Sequence, residues 1–397
     1  MSASDRWLLP EGVEEILPSE AARLETLRRE LLDLYSSWGY ELVITPLIEY
    51  LDSLLVGSSH DLDLHTFKLT DQLSGRLMGL RADITPQVAR IDANRLVHQD
   101  SKDHDVSRLC YADNVVHTKP RALLSSRVPI RIGAELFGHA GVGCDIELIG
   151  LMYETLRIAD VGSIHIVLGH VGIFRSLINA ADVSEEVEAE LFSAMQRKAY
   201  GELDGLLEER IENIEIRQML ADLSRLSGDE SVLDKALDRF AGAPETVKQE
   251  LAELESIAKG IKARIPELSL GFDLCELRGY EYHTGIVFAA YTPGYGQALA
   301  QGGRFNDIGK VFGLARPASG FDSDLKVIAR LSKRDFTGAK AIAAPWNDDL
   351  ALAQLIKELR QQGQRVIVQF DAGVALSRAD YDRQIIKDNE KWQVSPL

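Results

Sequence analysis

Leu277-Arg278-Gly279-Tyr280-Glu281-Tyr282-His283-Thr284-Gly285-Ile286-Val287-Phe288 sets an arginine, two tyrosines and a histidine at a turn that leads into a strand. A second stretch, Gln301-Gly302-Gly303-Arg304-Phe305-Asn306, pairs close backbone approach with another arginine. Glycine removes Cβ and lets a ligand lie against the chain. Arginine can clamp a carboxylate with two parallel hydrogen bonds. Taken by themselves, the two stretches fit a Gly/Tyr hairpin with surface arginines equally well, and Gly-Gly-Arg alone says little.

The segments around them set the frame. After Pro18, Ser19 can cap a helix and Glu20 suits its first turn. Leu24, Leu27, Leu31, Leu34 and Trp38 recur at helical spacing until Gly39. Tyr40 to Ile44 reads as a strand closed by Thr45-Pro46. Residues 67–81 read as a hairpin around Ser74-Gly75, and Pro86 to Ala93 as a helix. Ile146, Ile149, Met152, Tyr153 and Leu156 repeat helically, and residues 164–168 read as a strand. Residues 181–260 read as almost wholly helical, in short amphipathic pieces separated by Gly201, Gly205, Gly228 and Gly242. Strand signals return at 268–275, followed by short glycine-rich strands from Arg278 to Gly320. The end reads as strand 341–344, helix 348–360, Gly363 as stop and strand 365–370. This order predicts an α+β fold, an antiparallel sheet flanked by helices. Its core would be residues 1–172 and 264–333, with a helical insertion at 173–263 and a short C-terminal α/β region at 334–397.

Composition narrows the classes. The 397 residues carry 61 Asp+Glu against 44 Lys+Arg, a net charge of −17. Hydrophobic residues make up 45% and charged residues 26%, which excludes wholesale disorder and fibrous architectures. Binding along nucleic acid or an anionic membrane wants clustered Lys/Arg, so neither partner is expected. Residues 181–260 hold 20 acidic and nine basic side chains, or −11 of the −17. The run Glu185, Glu186, Glu188, Glu190 reads as a solvated first turn after Ser184. Cys110, Cys144 and Cys275 form no CxxC and read as reduced thiols. His60, His65, His98 and His104 match no zinc spacing, so no metal site is expected. Asp348-Asp349 reads as a helix N-terminal pair. No nucleophile has a catalytic motif around it, and no catalytic residue is assigned. The N-terminus lacks a basic stretch followed by an apolar one, and apolar runs stop short of the roughly 18 residues a membrane span needs, so a soluble, cytoplasmic protein is expected.

Four segments together resemble a known family. Gly39-Tyr40-Glu41-Leu42-Val43-Ile44-Thr45-Pro46-Leu47-Ile48-Glu49 resembles motif 1 of class II aminoacyl-tRNA synthetases. Arg81-Ala82-Asp83-Ile84-Thr85-Pro86-Gln87 is similar to the arginine-proline-glutamate-x-threonine segment of histidyl-tRNA synthetase. Leu277 to Phe288 and Gln301 to Asn306 are similar to that enzyme's two histidine signatures. The likeness runs collinearly over about residues 9–330 and implies a class II synthetase-like sheet that dimerises.

Two departures matter. Motif 2 of such enzymes carries an arginine for the α-phosphate of ATP, and here Val115-Val116-His117-Thr118-Lys119-Pro120 offers Val116 or His117. Motif 3 ends in an arginine, and here Pro317 to Val327 ends in valine and adds Asp322 and Asp324. Carboxylates repel a triphosphate and missing arginines remove transition-state stabilisation, so amino-acid activation is not expected. The amino-acid half of the site is retained. By resemblance, Asp83 would meet an ammonium group, Glu135 would accept from an imidazole N–H, and Arg278 would meet a carboxylate. Tyr282 and His283 would shape the pocket, and Thr85, Arg131, Gly302 and Gly303 would complete it. His283 stands where the family has tyrosine, Arg131 replaces a glutamine and Asp83 shortens a glutamate.

A synthetase-like chain with broken ATP motifs and a curtailed tRNA domain resembles the ATP phosphoribosyltransferase regulatory subunits. That resemblance implies a non-catalytic, allosteric chain of histidine biosynthesis. It would activate a short-form catalytic subunit within a hetero-oligomer and convey feedback inhibition by L-histidine, with no cofactor. An active histidyl-tRNA synthetase and a free-standing amino-acid sensor are the competing readings.

Overall fold

The computed structural model describes residues 7–55, 60–96, 106–120, 125–370, 377 and 380–397. His98 and His104 lie outside the described residues. The chain divides into two compact units, 1–334 and 335–397.

A nine-stranded sheet organises the first unit. Its spatial order is Glu41–Leu42, Ser107–Asn114, Ile130–Phe137, Ala318–Asp324, Ala300–Arg304, Ile286–Tyr291, His165–His170, Ser269–Asp273 and Ser227–Gly228. The central pairs are antiparallel. Glu41–Leu42 against Ser107–Asn114 and His165–His170 against Ser269–Asp273 run parallel. Helices Pro18–Ser37 and Val142–Ala159 cover one face, where Tyr35 meets Phe321 edge-on with ring centroids 6.2 Å apart. Of the stripe read from sequence, Leu24, Leu27 and Leu31 are buried, Leu34 is half-buried and Trp38 is exposed, while Tyr35 completes the packed face.

Register decides which residues reach the other face. Glu135 pairs with Gly320, and Gly320 with Gly303. Side chains alternate along a strand, so Arg131, Gly133, Glu135, Asp322 and Asp324 share a face opposite Ala134 and Phe321. That second face carries the pocket described below. A smaller sheet of Ile48–Tyr50, Leu77–Leu80 and Phe67–Thr70 stands beside it in the order 48–50, 77–80, 67–70. The helix Thr85–Ile91 follows, with Pro86 in its first turn.

Several details depart from the sequence reading. The first helix starts two residues earlier than a Ser19 cap would allow, with Leu17 at its N-cap and Pro18 opening it. The strand after Gly39 shrinks to Glu41–Leu42; beyond it Val43 N still donates to Cys110 O at 2.9 Å, and the Thr45 carbonyl turns to the Arg81 guanidinium at 2.7 Å. The helical stretch is interrupted by Ser227–Gly228, which pairs with Ser269–Asp273 and becomes the sheet's last strand. Glu188 is not simply solvated, since it accepts a 2.6 Å hydrogen bond from the Tyr280 hydroxyl.

The second unit is a four-stranded sheet in the order Val366–Gln369, Ala341–Pro345, Tyr381–Asp388, Lys391–Pro396, with helix Leu350–Gln361 packed on it. Asp349 caps that helix through Ala351 N at 2.9 Å and also accepts from Trp392 Nε1 and Lys387 Nζ. The hairpin 381–396 was not read from sequence. Its turn is Asn389-Glu390, both with positive φ, rather than an Asn-Gly pair.

Candidate ligand-binding site

Glu135 lies at the floor of a cavity of about 430 Å³ whose walls come from the Thr85 helix start, the Arg278–His283 turn and the central strands. The Thr85 hydroxyl donates to Glu135 Oε1 at 2.9 Å and the Tyr111 hydroxyl donates to the same oxygen at 3.1 Å. Gly133 makes the second bond feasible, because a Cβ there would meet the Tyr111 hydroxyl at 2.7 Å. Glu135 Oε2 is buried with no hydrogen-bond partner among the described residues. Burial pushes this carboxyl well above the usual carboxylate range, and the nearby Asp83 charge adds to it. The bonds from Thr85 and Tyr111 pull the other way. An unsatisfied buried carboxylate oxygen leaves a full desolvation penalty outstanding, which a ligand N–H would relieve.

The remaining walls are set by the turn. Asp83 lines the cavity and accepts from Ile84 N at 2.6 Å, which fixes the carboxylate at the mouth of the helix. Tyr282 is stacked on Phe305 at 5.1 Å with 19° between rings, and His283 meets Tyr282 edge-on at 4.8 Å. Burial lowers His283 to about 4, so the ring is neutral at physiological pH. Gly303 admits that ring, since a Cβ there would lie 2.8 Å from His283 Nδ1. Gly302 reaches the cavity by its backbone, while the space left by its missing side chain is filled by the Phe288 ring.

Arg278 is present at the rim but engaged. Its Nη2 donates to Glu276 Oε2 at 2.9 Å and to the Tyr291 hydroxyl, and its Nε donates to Glu276 Oε1 at 3.1 Å. A ligand carboxylate therefore has to compete with Glu276 for this guanidinium. Sequence reasoning missed Tyr111, Glu276 and Gly320. The signal for Tyr111 and Gly320 lies in strand alternation and pairing, which no single segment displays, while Glu276 sits in the turn just ahead of Leu277.

Two arginines sit elsewhere than the sequence suggested. Arg304 of the Gly-Gly-Arg segment points to the helix-covered face. There it donates to Asp145 and to the Ala140 and Gly141 carbonyls, and Ser319 completes Asp145 at 2.6 Å. Strand alternation sends Arg304 away from the Gly303 face, so this is a structural ion pair. Arg131 does not line the Glu135 cavity. It lies 3.3 Å from Asp322 Oδ2 in a neighbouring cavity of about 460 Å³, lined also by His117, Asp324 and Val327. His117 rather than Val116 lines that cavity, its Nε2 3.0 Å from Ala82 O. This chamber brings together His117, Val327, Asp322 and Asp324 with the guanidinium groups of Arg131 and Arg278. Burial raises Asp324, offset in part by Arg131, and Asp324 also caps the helix Leu325–Leu331.

Among the described residues, no group of three or more His, Cys, Asp or Glu is arranged to hold a metal, and no helix is long and apolar enough to cross a membrane. Cys110, Cys144 and Cys275 are buried and unpaired, and burial pushes their thiols up to about 12, 11 and 12, which makes them poor nucleophiles.

Comparison with known proteins fits this geometry. Residues 12–328 match the histidyl-tRNA synthetase family, and residues 339–395 match the ATP phosphoribosyltransferase subunit HisZ C-terminal domain. The ATP phosphoribosyltransferase regulatory subunit of Pseudomonas syringae pv. syringae (strain B728a) is 53% identical over the full length of both chains. That of Alkalilimnicola ehrlichii is 51% identical over 100% of this chain and 98% of the relative. Among solved structures, an ATP phosphoribosyltransferase regulatory subunit/histidyl-tRNA synthetase from Bacillus halodurans C superposes with a TM-score of 0.81 at 24% identity, covering 94% of this chain and 95% of that one. Histidyl-tRNA synthetase from Nostoc sp. PCC 7120 gives 0.76 at 21% identity, over 96% and 91%. Those two establish the class II synthetase-like α+β fold. With half of its residues shared across the whole length of the curated relatives, the chain belongs to the ATP phosphoribosyltransferase regulatory subunit family.

Proposed function

We propose that this chain is a non-catalytic regulatory subunit of ATP phosphoribosyltransferase, acting at the first step of L-histidine biosynthesis, and that histidine bound in the Glu135 cavity is its allosteric signal. The observation that carries the reading is the contrast between two adjoining cavities. One gathers Asp83, Thr85, Arg278, Tyr282 and His283 around an unpaired buried acceptor, Glu135 Oε2. The other is lined by Val327, at a position where the resemblance to a synthetase would call for an arginine, and by Asp322 and Asp324.

In this reading Glu135 accepts from the imidazole, Asp83 meets the ammonium group and Arg278 exchanges Glu276 for the ligand carboxylate. Allosteric coupling of this kind is typically about 1–3 kcal/mol. The partner is a short-form catalytic subunit in a cytoplasmic hetero-oligomer built on a dimer of this chain. Leu42, Ile44, Leu47 and Ile48 are exposed along the motif 1 segment, which supports self-association there. No cofactor takes part.

Reconstitution tests the proposal. Mixed with a short-form ATP phosphoribosyltransferase, the chain should co-elute on a sizing column, raise turnover and make it histidine-sensitive. Unchanged turnover with no complex would overturn it, as would robust histidine-dependent pyrophosphate exchange by the chain alone.

A further inference from the structure

The turn 277–285 has two sides. Arg278, Tyr282 and His283 line the ligand cavity. Tyr280, between them, does not line it and enters the helical segment instead. Its ring lies 5.3 Å from Phe174 and 5.3 Å from Phe192, centroid to centroid. Its hydroxyl donates to Glu188 Oε1 at 2.6 Å. Arg175 stacks its guanidinium over the same ring at 4.8 Å and donates Nη2 to the carbonyls of Tyr280 and His283, at 2.9 and 3.1 Å. All these partners belong to two helices, Val171–Ala181 and Glu185–Gln196.

The turn between the two sides is tight. Tyr282 N and His283 N both donate to Gly279 O, at 2.8 and 2.7 Å, and Gly279 takes φ +68° so that the His283 ring can pack against it. Val171 N, at the start of the first helix, donates to Gly285 O at 3.1 Å. These bonds tie the backbone of Tyr282 and His283 to that of Tyr280, through Gly279 O and through Arg175, so a backbone shift at the pocket wall is passed to Tyr280.

We propose that Tyr280, held by Arg175 and Glu188, is a positioning residue that carries occupancy of the Glu135 cavity into the helices Val171–Ala181 and Glu185–Gln196. The inference rests on the proposed histidine pocket but names a separate part, the acidic helical segment, as the element that registers the ligand. Arg175 joins the main chain of the pocket wall to that segment, and Glu188 fixes the ring orientation. Coupling is reciprocal, so whatever restrains the helices also tightens the pocket.

Amide hydrogen exchange on the full-length chain, with and without histidine, tests this alongside calorimetry. In the wild type, histidine should slow exchange across residues 185–196 by about fivefold or more. Tyr280→Phe keeps the aromatic packing and should still bind histidine, about fivefold more weakly, with no change in exchange at 185–196. Arg175→Lys, which keeps the charge but loses the fork, should behave likewise. Glu186→Gln, on the exposed side of the same helix turn, should respond as wild type. A merely structural role for Tyr280 would raise exchange in both states and preserve the histidine-dependent difference. Wild-type binding with no response at 185–196, or undiminished response in both variants, overturns the inference. Absence of histidine binding in the wild type overturns the pocket reading and this one together.

Discussion

Glu135 Oε2 occupies the space that a Cβ on residue 320 would fill. The carboxylate and the glycine face one another across paired strands, Glu135 directly opposite Gly320. The binding acceptor thus depends on a neighbour with no side chain. Gly320→Ala must push the carboxylate out of its place between Thr85 and Tyr111. We expect a loss of stability of about 1–3 kcal/mol, as for other overpacked cores, and loss of histidine binding. Urea unfolding and calorimetry on the same preparation check both.

Carboxylate recognition can be separated from imidazole recognition. Arg278→Ala removes a charge-assisted pair and should weaken histidine binding about 10- to 100-fold. Histamine, which lacks the carboxylate, should bind the variant and the wild type alike. Glu135→Ala should weaken both ligands. Calorimetric titration of the three proteins with both ligands decides the matter, and equal histidine affinity across all variants would show that the pocket lies elsewhere.

Much of this pocket was legible in the sequence, because Arg278, Tyr282 and His283 fall in one contiguous segment and the Thr85 segment is equally compact. The orientation of Arg304 was not. Gly302-Gly303-Arg304 places a glycine on each face of the strand, and only pairing with Ala318–Asp324 reveals that the arginine shares the face of Phe321 and Asp145. Arg131 was misplaced for a related reason. It lies two positions beyond Gly133 on the pocket face, too far along the strand to reach the Glu135 cavity. The edge strand Ser227–Gly228 carries no strand propensity, since its two residues pair only because Ser269–Asp273 offers an open edge.

The buried Arg304–Asp145 pair makes a stability prediction. Arg304→Ala would leave Asp145, which is fully buried, with an uncompensated charge. Breaking such a pair typically costs about 3–5 kcal/mol. Chemical denaturation should register a loss of that order, and a loss below about 1 kcal/mol would mean that solvent reaches the site.

Two groups between the sheet and the helix Glu245–Arg264 should shape the pH dependence of stability in opposite senses. Burial pushes Glu250 up to about 7. The folded chain then holds a proton that the unfolded chain releases, so this group lowers stability as pH rises from the ordinary carboxylate value of 4.5 to about 7. Burial lowers His170 to about 3 from its ordinary 6.5, so the unfolded chain binds the extra proton and stability falls as pH drops through that window. Glu250→Gln should remove the decline toward pH 7, and His170→Phe should flatten the acid limb. Unfolding free energies at half-unit pH steps, compared variant against wild type, test each sign.

Restoring one arginine should not restore chemistry. Val327→Arg brings a guanidinium to the second cavity, where Asp322 and Asp324 still face it beside Arg131. We expect the new arginine to pair with those carboxylates and histidine-dependent pyrophosphate exchange to stay at background. Exchange clearly above background in the single variant would refute this account of the chamber.

The two-residue strand Ser227–Gly228 has a consequence for how this chain tolerates cutting. It pairs with Phe272 and Asp273 at the outer edge of the strand Ser269–Asp273, where Lys198 also pins Asp273 at 2.7 Å. A chain shortened by deleting the helices would therefore bare an open row of backbone donors and acceptors next to the pocket turn, a template for another molecule's strand. The acidic helices act as a selvedge for the sheet, and trimming them should yield material that self-associates through that edge.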